Sequence, residues 1–183
     1  MGYTTEGIRN IALVGHSAAG KTTLFEALLH AGGAIQTPGT IERGTTVSDH
    51  DPLEKQRQHS LNASIASIDS GDCHINLLDT PGSQDFRGPT LTALAAVETC
   101  AIVINAHAGI EYGTQRMMHH AKQRGLARVV VVNKIDGGNP RAIRTRSASP
   151  RSMICCACVA VVIMPTAPVA MPASRRMRAA NGS

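Results

Sequence analysis

Apolar and polar positions follow two different periods along the first three quarters of the chain, with glycine or proline at most of the changeovers. Residues 9–14 (RNIALV) form an apolar run stopped by Gly15, which predicts a buried strand. Residues 23–31 set Leu24, Ala27, Leu28 and Ala31 at helical spacing and end at Gly32 and Gly33, a helix stop. Residues 33–60 are polar and broken by glycines, Pro38 and Pro52, which predicts a long loop. Residues 61–68 (LNASIASI) alternate as a half-buried strand does, and residues 73–78 pair with them as an antiparallel hairpin around Ser70 and Gly71. Residues 90–97 and 114–124 read as helices, and residues 100–105 (CAIVIN) and 128–132 (RVVVV) as buried strands. Strands alternating with helices predict an α/β fold, with a mostly parallel sheet covered by helices on both faces.

The pattern stops after Gly138. Residues 139–183 contain five prolines and no aromatic residue, and neither a strand nor a helix period is sustained. Charge divides at the same place. Residues 1–138 hold 11 Lys/Arg and all 13 Asp/Glu, a net −2, whereas residues 139–183 hold seven Arg and no acid. The overall +5 is therefore a property of the tail and does not mark the first 138 residues as a nucleic-acid or membrane binder. Residues 1–138 are read as one partial domain, and residues 139–183 as an Arg/Ala/Ser/Pro-rich tail that is disordered or the product of a shifted reading frame. On that reading the last strand and helix of the fold are missing, and the valines of residues 129–132 are left uncovered.

Composition narrows the class further. Phe25, Phe86, Tyr3 and Tyr112 are the only aromatic residues, so the core is expected to be aliphatic. No signal peptide is expected from the N-terminal residues, and the apolar run 153–164 is too short to span a bilayer. Cys73 and Cys100 lie in strand-like segments and read as buried reduced thiols, which suits a reducing cytoplasm. Cys155, Cys156 and Cys158 have no second pair or nearby His to complete a zinc site. His119, His120, Met117 and Met118 read as helix surface or packing residues.

Three motifs carry chemistry, each directly after a predicted strand. Gly15, His16, Ser17, Ala18, Ala19, Gly20, Lys21 and Thr22 fit G-x-x-x-x-G-K-[ST], with Thr23 opening the helix behind them. Glycines let backbone N–H groups curl around phosphate oxygens, and the helix N-terminus adds its positive end. Lys21 would reach the outer phosphates, the Thr22 hydroxyl would ligate Mg²⁺, and a minor contact is open to His16. Asp79, Thr80, Pro81 and Gly82 follow the strand HINLL: a carboxylate there stands on the magnesium side, and the Gly82 N–H can meet a γ-phosphate. Asn133, Lys134, Ile135 and Asp136 follow RVVVV. The Asp136 carboxylate can accept both N1–H and N2–H of guanine, which adenine does not offer, while Asn133 ties the loop to the phosphate loop and the Lys134 stem packs on the base.

GHSAAGKT, DTPGSQDF and NKID, with CAIVINAHAGIEYGTQ between the last two, resemble the GTP-binding domain of elongation factor G. RGTTVSDHDPLEKQRQHSLNASIAS is similar to its elongation-factor-G-like branch. The likeness covers residues 6–138. It implies a Ras-like fold, binding of GTP or GDP with Mg²⁺, hydrolysis of GTP, ribosome association, a cytoplasmic monomer without membrane attachment, and switch loops at about 36–62 and 79–88. Matched onto the first switch, Ser60 falls where the family ligates Mg²⁺ with threonine, with Thr45 or Thr46 as a substitute. Catalysis would rest on Lys21, with Ser83 in place of the family's water-orienting His and Gln84 after it. Ser83 puts fast hydrolysis in question. No fifth nucleotide loop is recognisable, since Ser147 and Ala148 lack a preceding strand. The domains that follow in a translocase are not in this chain. The rival readings are a nucleotide switch with negligible turnover, a truncated remnant, and a P-loop ATPase or small-molecule kinase.

Overall fold

Ala12, Leu13 and Val14 are consecutive strand residues and all are buried, which requires cover on both faces of the sheet. A computed structural model describes residues 3–48, 50–57, 59–83, 87–135, 155–156 and 159–164. The elements run β1 (Ile8–Val14), α1 (Lys21–Ala31), α2 (Pro52–Arg57), β2 (Ser64–Ser70), β3 (Cys73–Asp79), α3 (Arg87–Ala95), β4 (Thr99–Asn105), α4 (Tyr112–Gln123), β5 (Ala127–Asn133), β6 (Cys155–Cys156) and β7 (Val159–Met164). The sheet order is β2-β3-β1-β4-β5-β7-β6. Strands β3, β1, β4 and β5 are parallel, and β2 joins β3 antiparallel. This is the expected α/β architecture, in which phosphate-binding loops gather at the C-terminal ends of the parallel strands.

Two apolar clusters line the two faces. Leu13, Phe25, Leu29, Leu77, Val103 and Val131 pack under α1. Val14, Leu94, Ile102, Ile104, Met117 and Val130 pack under α3 and α4. Phe25 is fully buried, so among the described residues the nearly aliphatic core has one aromatic centre, whose burial contributes about 1.5–3 kcal/mol. Met117 is a core residue, and Met118 packs partly against the same cluster. Cys100 is buried too, and burial pushes its thiol up to about 12, well outside the reactive range.

Several boundaries differ from the expected ones for local reasons. Helix α1 starts at Lys21, because Gly20 adopts the left-handed conformation (φ 92°) that turns the loop into the helix. The stretch expected to be loop contains α2. Pro52 occupies the first helical turn, where its missing N–H costs nothing, and Asp51 Oδ1 accepts the Leu53 N–H at 2.8 Å as a cap. The hairpin turn is Gly71-Asp72, since Ser70 pairs with Cys73. Ile65 of β2 is 67% exposed, while Ile68 on the opposite face packs against the α1 side.

Two stretches of the tail are described. Residues 155–156 and 159–164 form strands, and β7 pairs antiparallel with β5 from Arg128↔Met164 to Asn133↔Val159. The run VAVVIM is β-branched and apolar, and β5 offers an otherwise open edge. Val130 and Val131 of β5 are 5% and 6% exposed within the clusters under the helices, and Val129 and Val132 are partly buried. Ser147, Ala148 and Cys158 lie outside the described residues. No helix among the described residues is long and apolar enough to cross a membrane.

Candidate functional site

The loop after β1 is shaped by backbone strain and close approach. Gly15 (φ 152°) has no room for a Cβ, which would overlap the Val103 carbonyl on the neighbouring strand. Ala18 takes a left-handed φ of 60°. The Lys21 Nζ donates to the His16 carbonyl at 2.9 Å, so its ammonium lies along the loop and at the N-terminus of α1. Lys21 is 6% exposed, and burial pulls its pKa down to about 8 against the opposing pull of Asp79.

The second motif meets the first through oxygen atoms. The Thr22 hydroxyl donates to Asp79 Oδ2 at 2.7 Å, and Ser60 Oγ stands 3.4 Å from Thr22 Oγ1. Hydroxyl and carboxylate oxygens are the hard donors that Mg²⁺ takes. Thr80 Oγ1 donates to the Leu13 carbonyl at 2.7 Å, which seats the DTPG turn on β1. A Cβ on Gly82 would run into Lys21 Nζ, Ser17 N and His16 C, so only glycine lets this backbone lie on the phosphate loop.

The third motif closes the other side. Asn133 Nδ2 donates to the Ala19 carbonyl at 3.1 Å, and its Oδ1 accepts the Lys134 N–H at 2.8 Å. Lys134 is left-handed (φ 59°), and its stem lies over Gly20. A cavity of about 220 Å³ opens between these parts, lined among others by Ser17, Lys21, Thr22, Ser60, Gly82 and Lys134, with Ser83 at its edge.

The expected residues separate by where they lie relative to this cavity. Ser17, Ala18, Gly20, Lys21, Thr22, Thr23, Ser60, Gly82, Ser83 and Lys134 line the cavity, and Asp79, Ala19 and Asn133 support it by the bonds above. The His16 ring does not reach it. It is buried against α4 instead, with Nδ1 3.5 Å from Thr114 Oγ1 and Nε2 3.7 Å from Glu111 Oε1, and burial lowers its pKa. Of the two possible substitutes for Ser60, Thr45 Oγ1 accepts the Thr40 N–H at 3.0 Å, and neither it nor Thr46 lines the cavity. Gln84 and Asp136 lie outside the described residues. Glu26 and Glu54, which hold the loop that delivers Ser60, carried no motif and were not anticipated. The signal for Glu26 was its place four residues after Thr22 on one helix face.

The sequence pattern of the elongation factor Tu GTP binding domain matches residues 6–154. The chain belongs to this family. The translation-factor GTPase domain is similar to an elongation factor G-like protein of Mycobacterium tuberculosis, 41% identical over 130 residues, which are 71% of this chain and 18% of the relative. A tetracycline resistance protein of Butyrivibrio fibrisolvens is 40% identical over 70% of the chain and 20% of its own length. A mitochondrial ribosome-releasing factor 2 of Schizosaccharomyces pombe is 35% identical over 80% and 19%. Among solved structures, a Thermus thermophilus protein superposes with a TM-score of 0.70 at 41% identity, covering 72% of this chain and 20% of that one. The chain therefore spans 18% to 20% of the length of these proteins.

Proposed function

We propose that this GTPase-family domain binds GTP and GDP with Mg²⁺ and hydrolyses GTP to GDP and phosphate, as the nucleotide-binding part of a cytoplasmic, monomeric, ribosome-associated factor of the elongation factor G type. The observation that carries the reading is the 2.7 Å bond between Thr22 and Asp79, which joins the phosphate loop to the DTPG turn beside the buried Lys21. On this reading each remaining residue has a role, that of Asp136 taken from the NKID motif alone. Lys21 and the backbone N–H groups of the loop hold the outer phosphates. Thr22, Ser60 and Asp79 would hold Mg²⁺, whose charge would offset that of the phosphates. Asn133 fixes the base-reading loop to Ala19, and Asp136 accepts from guanine. In the hydrolytic step a water oxygen bonds to the γ-phosphorus as the bond to the bridging oxygen breaks, and Ser83, which lines the cavity, would orient that water.

Ser83 also supports a second reading, a switch that binds nucleotide with negligible turnover, because a hydroxyl has shorter reach than an imidazole and is a weaker proton acceptor. The test is binding of a fluorescent GDP analogue to the purified chain with Mg²⁺, competed by GTP and by ATP, followed by phosphate release with ribosomes. Competition by GTP alone is expected. Competition by ATP as well would overturn the guanine reading. Release no faster than in the absence of ribosomes would favour the switch.

A further inference from the structure

The segment that brings Ser60 to Thr22 is mostly exposed between residues 36 and 45, and its anchoring comes from two buried carboxylates. Glu26, on α1 one turn beyond Thr22, is 1% exposed. Its Oε2 accepts the Gly39 N–H at 2.8 Å and its Oε1 the Val47 N–H at 2.5 Å. Glu54, on α2, is 3% exposed. Its Oε1 accepts from Leu61 N at 2.8 Å and Asn62 N at 3.0 Å, and its Oε2 from Asp51 N at 3.2 Å. Among the described residues neither carboxylate forms an ion pair. A buried charge without a counter-ion is costly unless hydrogen bonds satisfy it, and here backbone N–H groups of this one segment do so.

The bonds fall where they control Ser60. Glu54 grips the two residues directly after it. Glu26 grips both ends of residues 39–47, where Gly39 is glycine because a Cβ would overlap the Thr45 carbonyl. Ser64 Oγ donates to the Ser48 carbonyl at 2.6 Å and closes the base. We propose that Glu26 and Glu54 are positioning residues: they hold the Ser60 segment against α1, so that Ser60 and Thr22 face the same phosphate–metal end of a bound nucleotide. The geometry stands alone, whereas its consequence for binding rests on the guanine-nucleotide reading.

Two measurements on the full chain test this. Amide hydrogen exchange needs no nucleotide. Glu26→Gln or Glu26→Ala should accelerate exchange at Gly39 and Val47, and Glu54→Gln or Glu54→Ala at Leu61 and Asn62, by about tenfold or more, with β1 and β4 unchanged. The glutamine variants keep side-chain shape should the alanine variants fail to fold. Unchanged exchange at those amides overturns the proposal. In the second measurement, Glu54→Gln should weaken a non-hydrolysable GTP analogue with Mg²⁺ about tenfold and leave GDP in EDTA unchanged. Ser60→Ala should do the same, and the double variant no more. Equal loss of GDP in EDTA, or additive losses, would reduce Glu54 to a structural residue. A wild-type chain that binds no guanine nucleotide would refute the functional reading, with the exchange experiment still deciding the positioning.

Discussion

Replacing Lys21 by methionine should make the chain more stable in nucleotide-free buffer while abolishing its response to nucleotide. Burial lowers the Lys21 pKa from 10.5 to about 8, so holding the ammonium inside the folded domain at pH 7 costs roughly 3 kcal/mol. Methionine removes that cost and fills similar volume. It also loses the bond from Nζ to the His16 carbonyl, roughly 1 kcal/mol, but that oxygen keeps the Ala19 N–H at 3.3 Å. Lys21→Met is therefore expected to be about 2 kcal/mol more stable at pH 7 by urea denaturation. The sign of the pH dependence follows from the lowered pKa. Between about 8 and 10.5 the unfolded chain binds more protons than the folded one, so wild-type stability rises with pH across that window and the gap to the variant closes. Saturating GDP and Mg²⁺ at a hundredfold above Kd should add about 2.7 kcal/mol to the wild type and nothing to the variant, inverting the order. A variant less stable than wild type at pH 7, or a gap that does not shrink above pH 8, would refute the reasoning.

Asn133→Ala removes the bond to the Ala19 carbonyl and the acceptor that holds Lys134 in its left-handed turn, and should raise the Kd for GDP about tenfold in a fluorescent titration. Gly82→Ala sets a methyl group against Lys21 and the Ser17 N–H, and should weaken a GTP analogue about tenfold while affecting GDP less, since only the γ-phosphate side is displaced. Ser83→His supplies an imidazole at the cavity edge and should raise ribosome-dependent phosphate release by about a hundredfold, measured under single-turnover conditions. Deleting residues 139–183 strips β7 from β5, and sedimentation should then show concentration-dependent association through the open edge.

The parallel core was legible because its strands are short apolar runs followed by motifs with a single structural context. RNIALV, HINLL, CAIVIN and RVVVV each lie within a strand observed in the sheet, with helices in every connection between them and β2 as the one antiparallel strand added before HINLL. Reading failed where a residue has two uses. Pro52 signals a break but also fits a first helical turn, and Asp51, which caps that turn, looks like any loop acid. The alternating run before β3 told its period but not its face, so Ile65 went outward and Ile68 inward. VAVVIM had strand composition within a tail of breakers, and its pairing depends on an edge that only the assembled sheet provides.

The site divides along the same line. Motif residues act through backbone geometry and fixed spacing, so their positions could be assigned before their contacts were known. Glu26 and Glu54 act through bonds to N–H groups 13 and 21 residues from Glu26 and 7 and 8 residues from Glu54; helix-face spacing from Thr22 and capping-box spacing from Asp51 mark the two acids but not these partners. His16 shows the converse, because a place in the phosphate loop does not say where a side chain points, and the fold turns this ring towards Thr114 and Glu111. The phosphate loop thus has two sides. Ser17, Gly20, Lys21 and Thr22 line the cavity, while the His16 ring couples the loop to the start of α4. A change in the Gly15–Lys21 backbone on filling the cavity would be felt at α4 through that ring, and at the Ser60 segment through Thr22 and the α1 face that carries Glu26.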